Sequence, residues 1–548
     1  MSKNKLMQTW AMPPTWLRVI IAVLLILGVF FRFVNLDRKA YWYDETYTSL
    51  RISGYKEIEV VQDFFSPQVR RIEEVQKYQR LNPEKTVIDT IKSLATEDSQ
   101  HPPIYYLLAR FWAQLFGSSV AVMRTLPALI SLLVFPCIYW LCLELFESSL
   151  TGWFAVGVMA ISPLQLLYAQ EAREYSLWTV TILLSSVALL RAVRLRTKIS
   201  WGIYAVTWAI SLYTFLFSAL VAIGYGFYIW VSQGFRLSKT VIAYFVASII
   251  GLILYTPWIL VIINNSSKAS KTTAWTGIKR SLFQLIQAWI NNISINFLDV
   301  GTSSTEHWLL QLVISIANLS ILILIGYSLY FIYNQTPPRV ALFVLTLIGV
   351  PALLLMLPDV ILGGQRSTIP RYLLPSYLGI NLAVAYLLAA KVSNISVNIR
   401  KQKLWQFVTL ALFSSGVISC AIISQSEVWW NKNLQETGPV VARFVNQVPN
   451  PLLIGSARVG DLLALSHLLN PKVQFMVAPQ CDACDLKPQP ISEAYLPILP
   501  QGLNDVFLLK TGSYEEWLDE LKKNTSYKTE PIVLIKPNEN LLWRLQKQ

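Results

Sequence analysis

Long apolar segments recur along the first 423 of the 548 residues, and they constrain the fold more than any other feature. A helix needs about 20 mostly apolar residues to cross the hydrocarbon core of a bilayer. Hydrophobic residues make up 54% of the chain and charged residues only 14%, whereas charged residues make up roughly 25% of a typical soluble protein. The sequence therefore predicts an α-helical integral membrane protein.

We predict about 11 transmembrane helices from apolar runs of roughly 17 residues or more. Several runs are close to the lower length limit, and the break between the fifth and the sixth falls at Phe217. The predicted spans cover residues 16–33, 126–146, 152–168, 175–190, 201–217, 218–231, 241–263, 308–333, 340–357, 372–390 and 405–423.

The shorter apolar stretch at residues 104–117 decides the direction of every later helix. If it is not counted as a crossing, the later basic clusters share the cytoplasmic side with the basic N-terminus, as the positive-inside rule requires. With 14 residues and Arg110 near its middle, the stretch is predicted to be an amphipathic helix in the outer interface. The residues placed in the cytoplasm by this choice include Arg191, Arg194, Arg196, Lys198, Arg236, Lys239, Arg339, Lys391, Arg400, Lys401 and Lys403.

This topology gives a cytoplasmic N-terminus, a large first external loop over residues 35–125 and an external tail. The tail alternates short β-rich runs with helical ones, which predicts a small α/β domain. We therefore predict a transmembrane domain at 1–423, containing the loop and its interfacial helix, and an external α/β domain at 424–548. The predicted strands are at 452–456, 473–478, 505–510 and 531–536, and the predicted helices are at 460–469 and 514–523.

Charge and cysteine content exclude two other classes of protein. The net charge of +14 does not indicate nucleic-acid binding, because the basic residues lie in short clusters between apolar runs. Five cysteines are too few for a disulfide-rich scaffold. Cys481 and Cys484 suit a local disulfide better than a zinc site, which needs two more ligands.

The first external loop carries candidate catalytic residues at both ends. Its opening Y-W-Y-D-E-T-Y places Asp44 and Glu45 among aromatic side chains, where a carboxylate can act as a proton acceptor. A helix cap explains the same pair equally well. The loop closes with H-P-P, in which His101 is able to bind phosphate, ligate a metal or cap the next helix. A requirement for a divalent metal therefore stays open.

Two further clusters lie at external ends of predicted spans. The segment A-Q-E-A-R-E-Y brings Glu171, Arg173 and Glu174, followed by Tyr175, to the membrane edge, where ionisable groups usually face a polar cavity or a partner. An ordinary polar turn is the alternative. The segment G-G-Q-R-S-T-I-P-R-Y carries Arg366 and Arg371. An arginine fork suits the phosphate of a lipid-linked substrate, and nonspecific binding of anionic head groups is the alternative.

Four motifs, taken in order, resemble the polyprenyl-phosphate-dependent glycosyltransferases of the GT-C fold. The likeness is to the protein-mannosyltransferase-like branch that includes the lipid A aminoarabinose transferase, families 39 and 83 of the glycosyltransferases, and it covers nearly all of residues 16–423. The motifs are W-Y-D-E, H-P-P-I-Y-Y, S-P-L-Q-L-L-Y-A-Q-E-A-R-E-Y-S-L and P-R-Y-L-L-P.

The resemblance implies an inverting enzyme that moves a sugar from a polyprenyl-phosphate carrier to a lipid, glycan or protein acceptor on the external face. It implies that Asp44, with Glu45 adjoining, lies beside the acceptor and that Glu171 is the acidic residue of the second external segment. His101 stands where the lipid A branch commonly has a lysine that contacts phosphate. Arg173, Arg366 or Arg371 would then stabilise the departing phosphate.

Two other functions fit a multi-span protein with external arginines. One is a cell-surface oligosaccharide polymerase or ligase, which would use a diphosphate-linked glycan. The other is a transporter, which is disfavoured because the charged residues gather at span ends and not in mid-span. A bacterial plasma membrane is the expected location, because the sequence has no endoplasmic-reticulum retention signal.

Overall fold

The computed structural model describes residues 15–64, 68–301, 308–393, 399–435, 437–481, 505–509, 527–536 and 539–547. The chain divides into two compact units. The first, here the membrane unit, comprises Met1–Leu36, Arg124–Leu260 and Thr273–Gln425. The second, here the loop–tail unit, comprises Asp37–Met123, Val261–Thr272 and Ser426–Gln548.

Helices dominate the described residues, and we number them in chain order. The α-helices are α1 (Thr15–Phe33), α2 (Tyr43–Ile52), α3 (Glu57–Asp63), α4 (Ile72–Gln76), α5 (Val87–Glu97), α6 (Ile104–Phe116), α7 (Val120–Leu132), α8 (Val134–Phe146), α9 (Ser149–Ala160), α10 (Pro163–Ala169), α11 (Tyr175–Leu195), α12 (Lys198–Thr214), α13 (Ser218–Ser232), α14 (Lys239–Asn264), α15 (Ser266–Thr272), α16 (Leu282–Ser294), α17 (Trp308–Gln335), α18 (Pro338–Ile361), α19 (Leu374–Ser393), α20 (Ile399–Gln425), α21 (Gly438–Val445) and α22 (Val459–Ser466). Short 3-10 helices cover Lys77–Gln79, Ala274–Gly277, Arg366–Thr368, Pro370–Leu373 and Trp430–Gln435.

The prediction of an α-helical membrane protein is confirmed. Among the described residues, eight helices are long and apolar enough to cross a membrane, and counting the bent pair α9 and α10 as one span gives nine. Each of the eleven predicted spans coincides with one of these or with a shorter helix. The two shorter ones are α12, of 17 residues, and α13, of 15, so the count of eleven stays a prediction.

A sharp bend separates α9 from α10 and shapes the membrane unit. The two helices meet at 62°, and α10 begins with a proline after the N-cap Ser162. Arg32 of α1 is buried at this break and donates to the carbonyl oxygens of Met159 (3.0 Å) and Ala160 (2.7 Å). These carbonyls end a helix and lack partners within it, so a cation there is favourable. The bend is therefore held by a charged cap.

Glycine permits the close approach that this cap requires. A Cβ at Gly28 of α1 would lie 2.5 Å from the carbonyl oxygen of Ala160. Polar side chains hold the other side of the break, where Ser162 donates to the backbone oxygen of Asn296 (2.9 Å) and the amide of Asn296 donates to Asn381 (2.5 Å). Between membrane helices such groups have no water to bond, so these contacts fix the packing.

A six-stranded sheet organises the loop–tail unit, and its strand order is β1-β3-β2-β4-β6-β5. All four predicted strands are present, and the predicted helix at 460–469 appears as α22. The predicted helix at 514–523 lies outside the described residues. The strands are β1 (Arg70–Arg71), β2 (Leu452–Arg458), β3 (Gln474–Gln480), β4 (Val506–Leu509), β5 (Tyr527–Lys536) and β6 (Glu539–Lys547).

The first loop and the tail build one hydrophobic core. Strand β1 comes from the loop and pairs antiparallel with β3 of the tail. Buried residues of the loop, such as Leu50 and Val75, belong to the same cluster as Leu463 and Phe475 of the tail. The loop that we grouped with the transmembrane domain from sequence is thus part of the same compact unit as the tail.

The predicted interfacial helix is present as α6, and it is not among the candidate spans. Arg110 is buried and donates to the backbone oxygen of Ile52 and to Thr90. Its opposite face exposes Phe111 and Leu115, the latter at 76%. The helix is therefore amphipathic, as predicted, with its charge directed into the loop–tail unit.

We predict that Arg32→Met destabilises the membrane unit. The substitution removes charge-assisted hydrogen bonds to three carbonyl oxygens and to Ser131, each worth about 1.5–3 kcal/mol. The midpoint of thermal unfolding of the detergent-purified protein, followed by tryptophan fluorescence, should fall by several degrees. Arg18→Met, at an exposed position of the same helix, is the matched control, and equal midpoints for the two variants would contradict the capping role.

Candidate active site

The first turn of α2 holds the two adjacent carboxylates. Asp44 and Glu45 occupy its second and third positions, where the helix dipole favours negative charge. The Glu45 carboxylate is fully buried, accepts the backbone N–H of Trp42 (3.3 Å) and forms an ion pair with Lys432 (2.5 Å). Asp44 is half-buried. The structure therefore engages Glu45 in a cap and an ion pair, and Asp44 is the more accessible of the two.

The aromatic residues around this turn pack against the tail. The guanidinium of Arg458 lies 4.7 Å from the ring centre of Tyr43, and Arg458 donates to Asp461 (2.8 Å). A Cβ at Gly460 would lie 2.6 Å from the ring of Tyr43, so glycine allows α22 to approach α2 this closely. The aromatic side chains predicted around Asp44 and Glu45 therefore pack against the tail.

Buried ion pairs connect α2 to the turn that carries His101. Arg51, at the end of α2, donates to Glu97 (2.5 Å) and Asp98 (2.6 Å). Although burial acts to lower it, the carboxylates of Asp98 and Glu97 raise the pKa of Arg51 above its usual value. The backbone N–H of His101 donates to the Asp98 oxygen (2.8 Å), so this turn is fixed relative to α2.

The structure gives no support to a metal site within its described residues. There, no group of three or more histidine, cysteine or acidic side chains is placed to hold an ion. Cys481 is disulfide-bonded, and its predicted partner Cys484 lies outside the described residues. The metal requirement stays open.

The charged segment after α10 is buried in the membrane unit. Glu171, Arg173 and Glu174 are each at most 3% exposed, and Arg173 forms an ion pair with Glu174 (3.3 Å). The amide of Gln170 donates to two backbone oxygens at the end of α1. Burying three ionisable side chains here is costly, and such groups in membrane proteins usually serve a function.

Two arginines approach the ring of Tyr175. The guanidinium carbon of Arg173 lies 6.0 Å from its ring centre and that of Arg371 lies 5.7 Å away. Arg371 also lies near the rings of Tyr372 (5.6 Å) and Trp275 (6.0 Å). Cation–π attraction and low water content hold such guanidinium groups in place. The structure thus brings Arg371 together with Arg173 and Tyr175, which lie almost 200 positions earlier in the sequence.

Arg366 occupies a different position from Arg371. The loop between α18 and α19 folds around Asp359, which is 1% exposed and accepts the backbone N–H (2.6 Å) and hydroxyl (2.7 Å) of Ser367. The Arg366 guanidinium lies 3.5 Å from the same carboxylate and is 39% exposed. The two arginines that the sequence treats as a pair therefore have different partners.

Sequence reasoning missed several residues that shape these sites. Gln365 belongs to the loop between α18 and α19, here called the arginine loop. It accepts a hydrogen bond from Arg280 (3.0 Å) and donates one to the backbone oxygen of Trp275 (2.8 Å). Lys432 and Arg51 were also missed. Each makes contacts to residues far away in the chain, and no local pattern signals such contacts.

Each predicted site residue has a place in one of the two units. Asp44, Glu45 and His101 lie in the loop–tail unit. The membrane unit contains the remaining five, which are Glu171, Arg173, Tyr175, Arg366 and Arg371.

Known proteins are similar to this chain in part of its sequence and in its fold. The sequence pattern of the dolichyl-phosphate-mannose-protein mannosyltransferase family matches residues 100–261, a range that contains the H-P-P and A-Q-E-A-R-E-Y motifs. ArnT from Cupriavidus metallidurans, in its apo crystal structure, aligns with a TM-score of 0.53 at 13% identity, covering 97% of each chain. This chain has the GT-C fold.

Two further solved structures are similar to this chain. The crystal structure of the same ArnT bound to undecaprenyl phosphate aligns with a TM-score of 0.51 at 12% identity, covering 97% of this chain and 98% of that one. An oligosaccharyltransferase from Archaeoglobus fulgidus aligns at 0.49 with 13% identity, covering 83% of this chain and 65% of that one. No curated protein matches the GT-C chain by sequence. The resemblance found in the four motifs is confirmed.

We predict that Asp359→Ala loosens the arginine loop of this GT-C protein. The change removes two hydrogen bonds to Ser367 and the partner of Arg366, which should destabilise the loop by about 2–3 kcal/mol. Limited trypsin digestion followed by mass spectrometry should show faster cleavage after Arg366 and Arg371. Asp359→Asn, which keeps an acceptor oxygen, should show less cleavage, and unchanged digestion of the alanine variant would refute the anchoring role.

Proposed function

We propose that the chain is an inverting glycosyltransferase that moves a sugar from a polyprenyl-phosphate carrier to a lipid, glycan or protein acceptor, at the external face of a bacterial plasma membrane. The matching family is named for a dolichyl-phosphate sugar, and one similar structure holds undecaprenyl phosphate. The observation that carries the proposal is the pair of guanidinium groups of Arg173 and Arg371 at Tyr175, next to the ends of apolar helices.

Arginine is suited to the phosphate of such a carrier. Its planar fork binds two phosphate oxygens at once, and the interaction strengthens where water is scarce. The rings of Tyr175, Trp275 and Tyr372 surround the Arg371 guanidinium and limit its hydration. We assign Arg371, with Arg173, to the carrier phosphate.

The reaction requires one proton acceptor. The acceptor hydroxyl oxygen attacks the anomeric carbon, the bond from that carbon to the phosphate oxygen breaks, and the carrier phosphate departs with the electron pair. Because phosphate leaves without protonation, a second carboxylic acid of the kind glycosidases use is unnecessary. We assign the acceptor's proton to Asp44, the accessible carboxylate at the start of α2. His101, Glu171 and Arg366 are proposed substrate contacts.

Deleting the gene should remove one glycosylated product from the cell envelope, and the missing product identifies both donor sugar and acceptor. We expect the wild-type gene to restore that product and Asp44→Asn to restore at least about 100-fold less, because general-base catalysis contributes about 10²–10⁴-fold. Product per molecule of enzyme is measured by mass spectrometry. Asp37→Asn, at an exposed position of the same loop, should restore it fully. Full restoration by Asp44→Asn would remove the proposed base.

Arg371→Gln should weaken binding of undecaprenyl phosphate by about 10- to 100-fold, the effect of losing a hydrogen bond to a charged group. Arg371→Lys should fall between wild type and Gln, because lysine keeps the charge but loses the fork. Binding to protein in nanodiscs is measured by native mass spectrometry. Arg339→Gln, exposed at the opposite end of α18 from Asp359, is the control. Preference of the wild type for undecaprenyl diphosphate would favour a polymerase or ligase instead.

A further inference from the structure

Lys432 is a buried lysine of the tail that contacts the first turn of α2. It lies in the short 3-10 helix Trp430–Gln435, where the backbone departs from helical geometry at Lys432 itself. Its ammonium lies 2.5 Å from the Glu45 carboxylate, and the two side chains are 1% and 0% exposed. Both residues belong to the loop–tail unit.

The Glu45 carboxylate needs a cation at this depth. An ionised carboxylate removed from water is unfavourable unless an opposite charge and hydrogen bonds compensate it. The backbone N–H of Trp42, at 3.3 Å, supplies one hydrogen bond. Lys432 supplies the opposite charge, so the ion pair and the closed first turn depend on each other. The same turn carries Asp44, the residue immediately before Glu45.

Other tail residues contact the chain on both sides of this turn. Before it, the backbone N–H of Ala40 donates to the oxygen of Glu427 (2.8 Å). After it, the Thr46 hydroxyl lies 3.3 Å from the backbone oxygen of Gly460. The tail therefore contacts the start of α2 on both sides of the ion pair that Lys432 forms with Glu45.

We propose that Lys432 is a positioning residue for Asp44, acting by compensating the charge of Glu45. This inference rests on the proposed function, in which Asp44 accepts the proton. Without Lys432, the buried Glu45 carboxylate loses the opposite charge that lies 2.5 Å from it, and this ion pair no longer holds the first turn. The tail thus takes part in catalysis by fixing the turn that bears the base.

A cycle of variants tests this role. Lys432→Met should reduce the rate of product formation by about 100-fold, the effect of a displacement of about 1 Å at a reacting group, and leave undecaprenyl phosphate binding unchanged. Lys432→Arg should retain most of the rate. The double variant Glu45→Gln with Lys432→Met should recover at least about tenfold over Lys432→Met alone, because it removes the uncompensated charge.

The rate is measured as formation of the product lost on gene deletion, per molecule of enzyme, in membranes of the deletion strain. Lys77→Met is the matched control, since that lysine pairs with Asp63 at the surface of the same unit and is 48% exposed. Thermal unfolding separates loss of rate from loss of fold. If Lys432→Met alone fails to fold, Lys432→Arg and the double variant still report whether charge compensation restores activity.

Two results would overturn the inference. One is a wild-type rate for Lys432→Met. The other is a double variant as impaired as Lys432→Met, which would show that the charge of Glu45 is not what Lys432 compensates. Both differ from failure of the proposed function, in which Asp44→Asn keeps its activity. An inactive Asp44→Asn beside a fully active Lys432→Met would leave the function standing and remove only the role of Lys432.

Discussion

The need to compensate every buried charge governs this structure. Arg32 is buried between membrane helices and donates hydrogen bonds to the carbonyl oxygens at the end of α9. Asp359 accepts a hydrogen bond from the backbone N–H of Ser367, in the loop that follows it. Glu45 has Lys432 as its partner, and Arg51 has two carboxylates. Each of these contacts fixes a break, a loop or a helix start. Three segments that carry candidate site residues are held in this way: the first turn of α2, the turn before His101 and the loop after α18.

The bend between α9 and α10 shows how one such contact propagates. Arg32 caps α9 at Ala160, where the chain turns by 62° into α10, and α10 ends at Ala169. The residues that follow form a compact turn that buries Glu171 and leads into α11 at Tyr175. Tyr175 there meets Arg371, which comes from the other end of the membrane unit's sequence. A cationic, aromatic site is thereby formed next to apolar helices.

Local patterns in the sequence predicted most of the helices, the tail strands and the motifs around Asp44 and Tyr175. Hydrophobic runs and period-two alternation are local signals, and the structure follows them closely. Contacts between distant residues left no such signal. The pairing of Glu45 with Lys432 spans 387 positions, and nothing near Lys432 indicates it. The different partners of Arg366 and Arg371 were missed for the same reason. Both arginines lie in one short polar segment, and nothing in that segment distinguishes them.

The shared core of the first loop and the tail has a consequence for biogenesis. Leu50 and Val75 are translated several hundred residues before Leu463 and Phe475, against which their cluster is completed. During synthesis these apolar side chains of the loop therefore stay exposed until the tail is made. Aggregation or chaperone binding competes with folding during that time. Strand β6, which follows the other five in the chain, lies between β4 and β5, so the sheet that β1 of the loop joins is complete only after residues 539–547 are made.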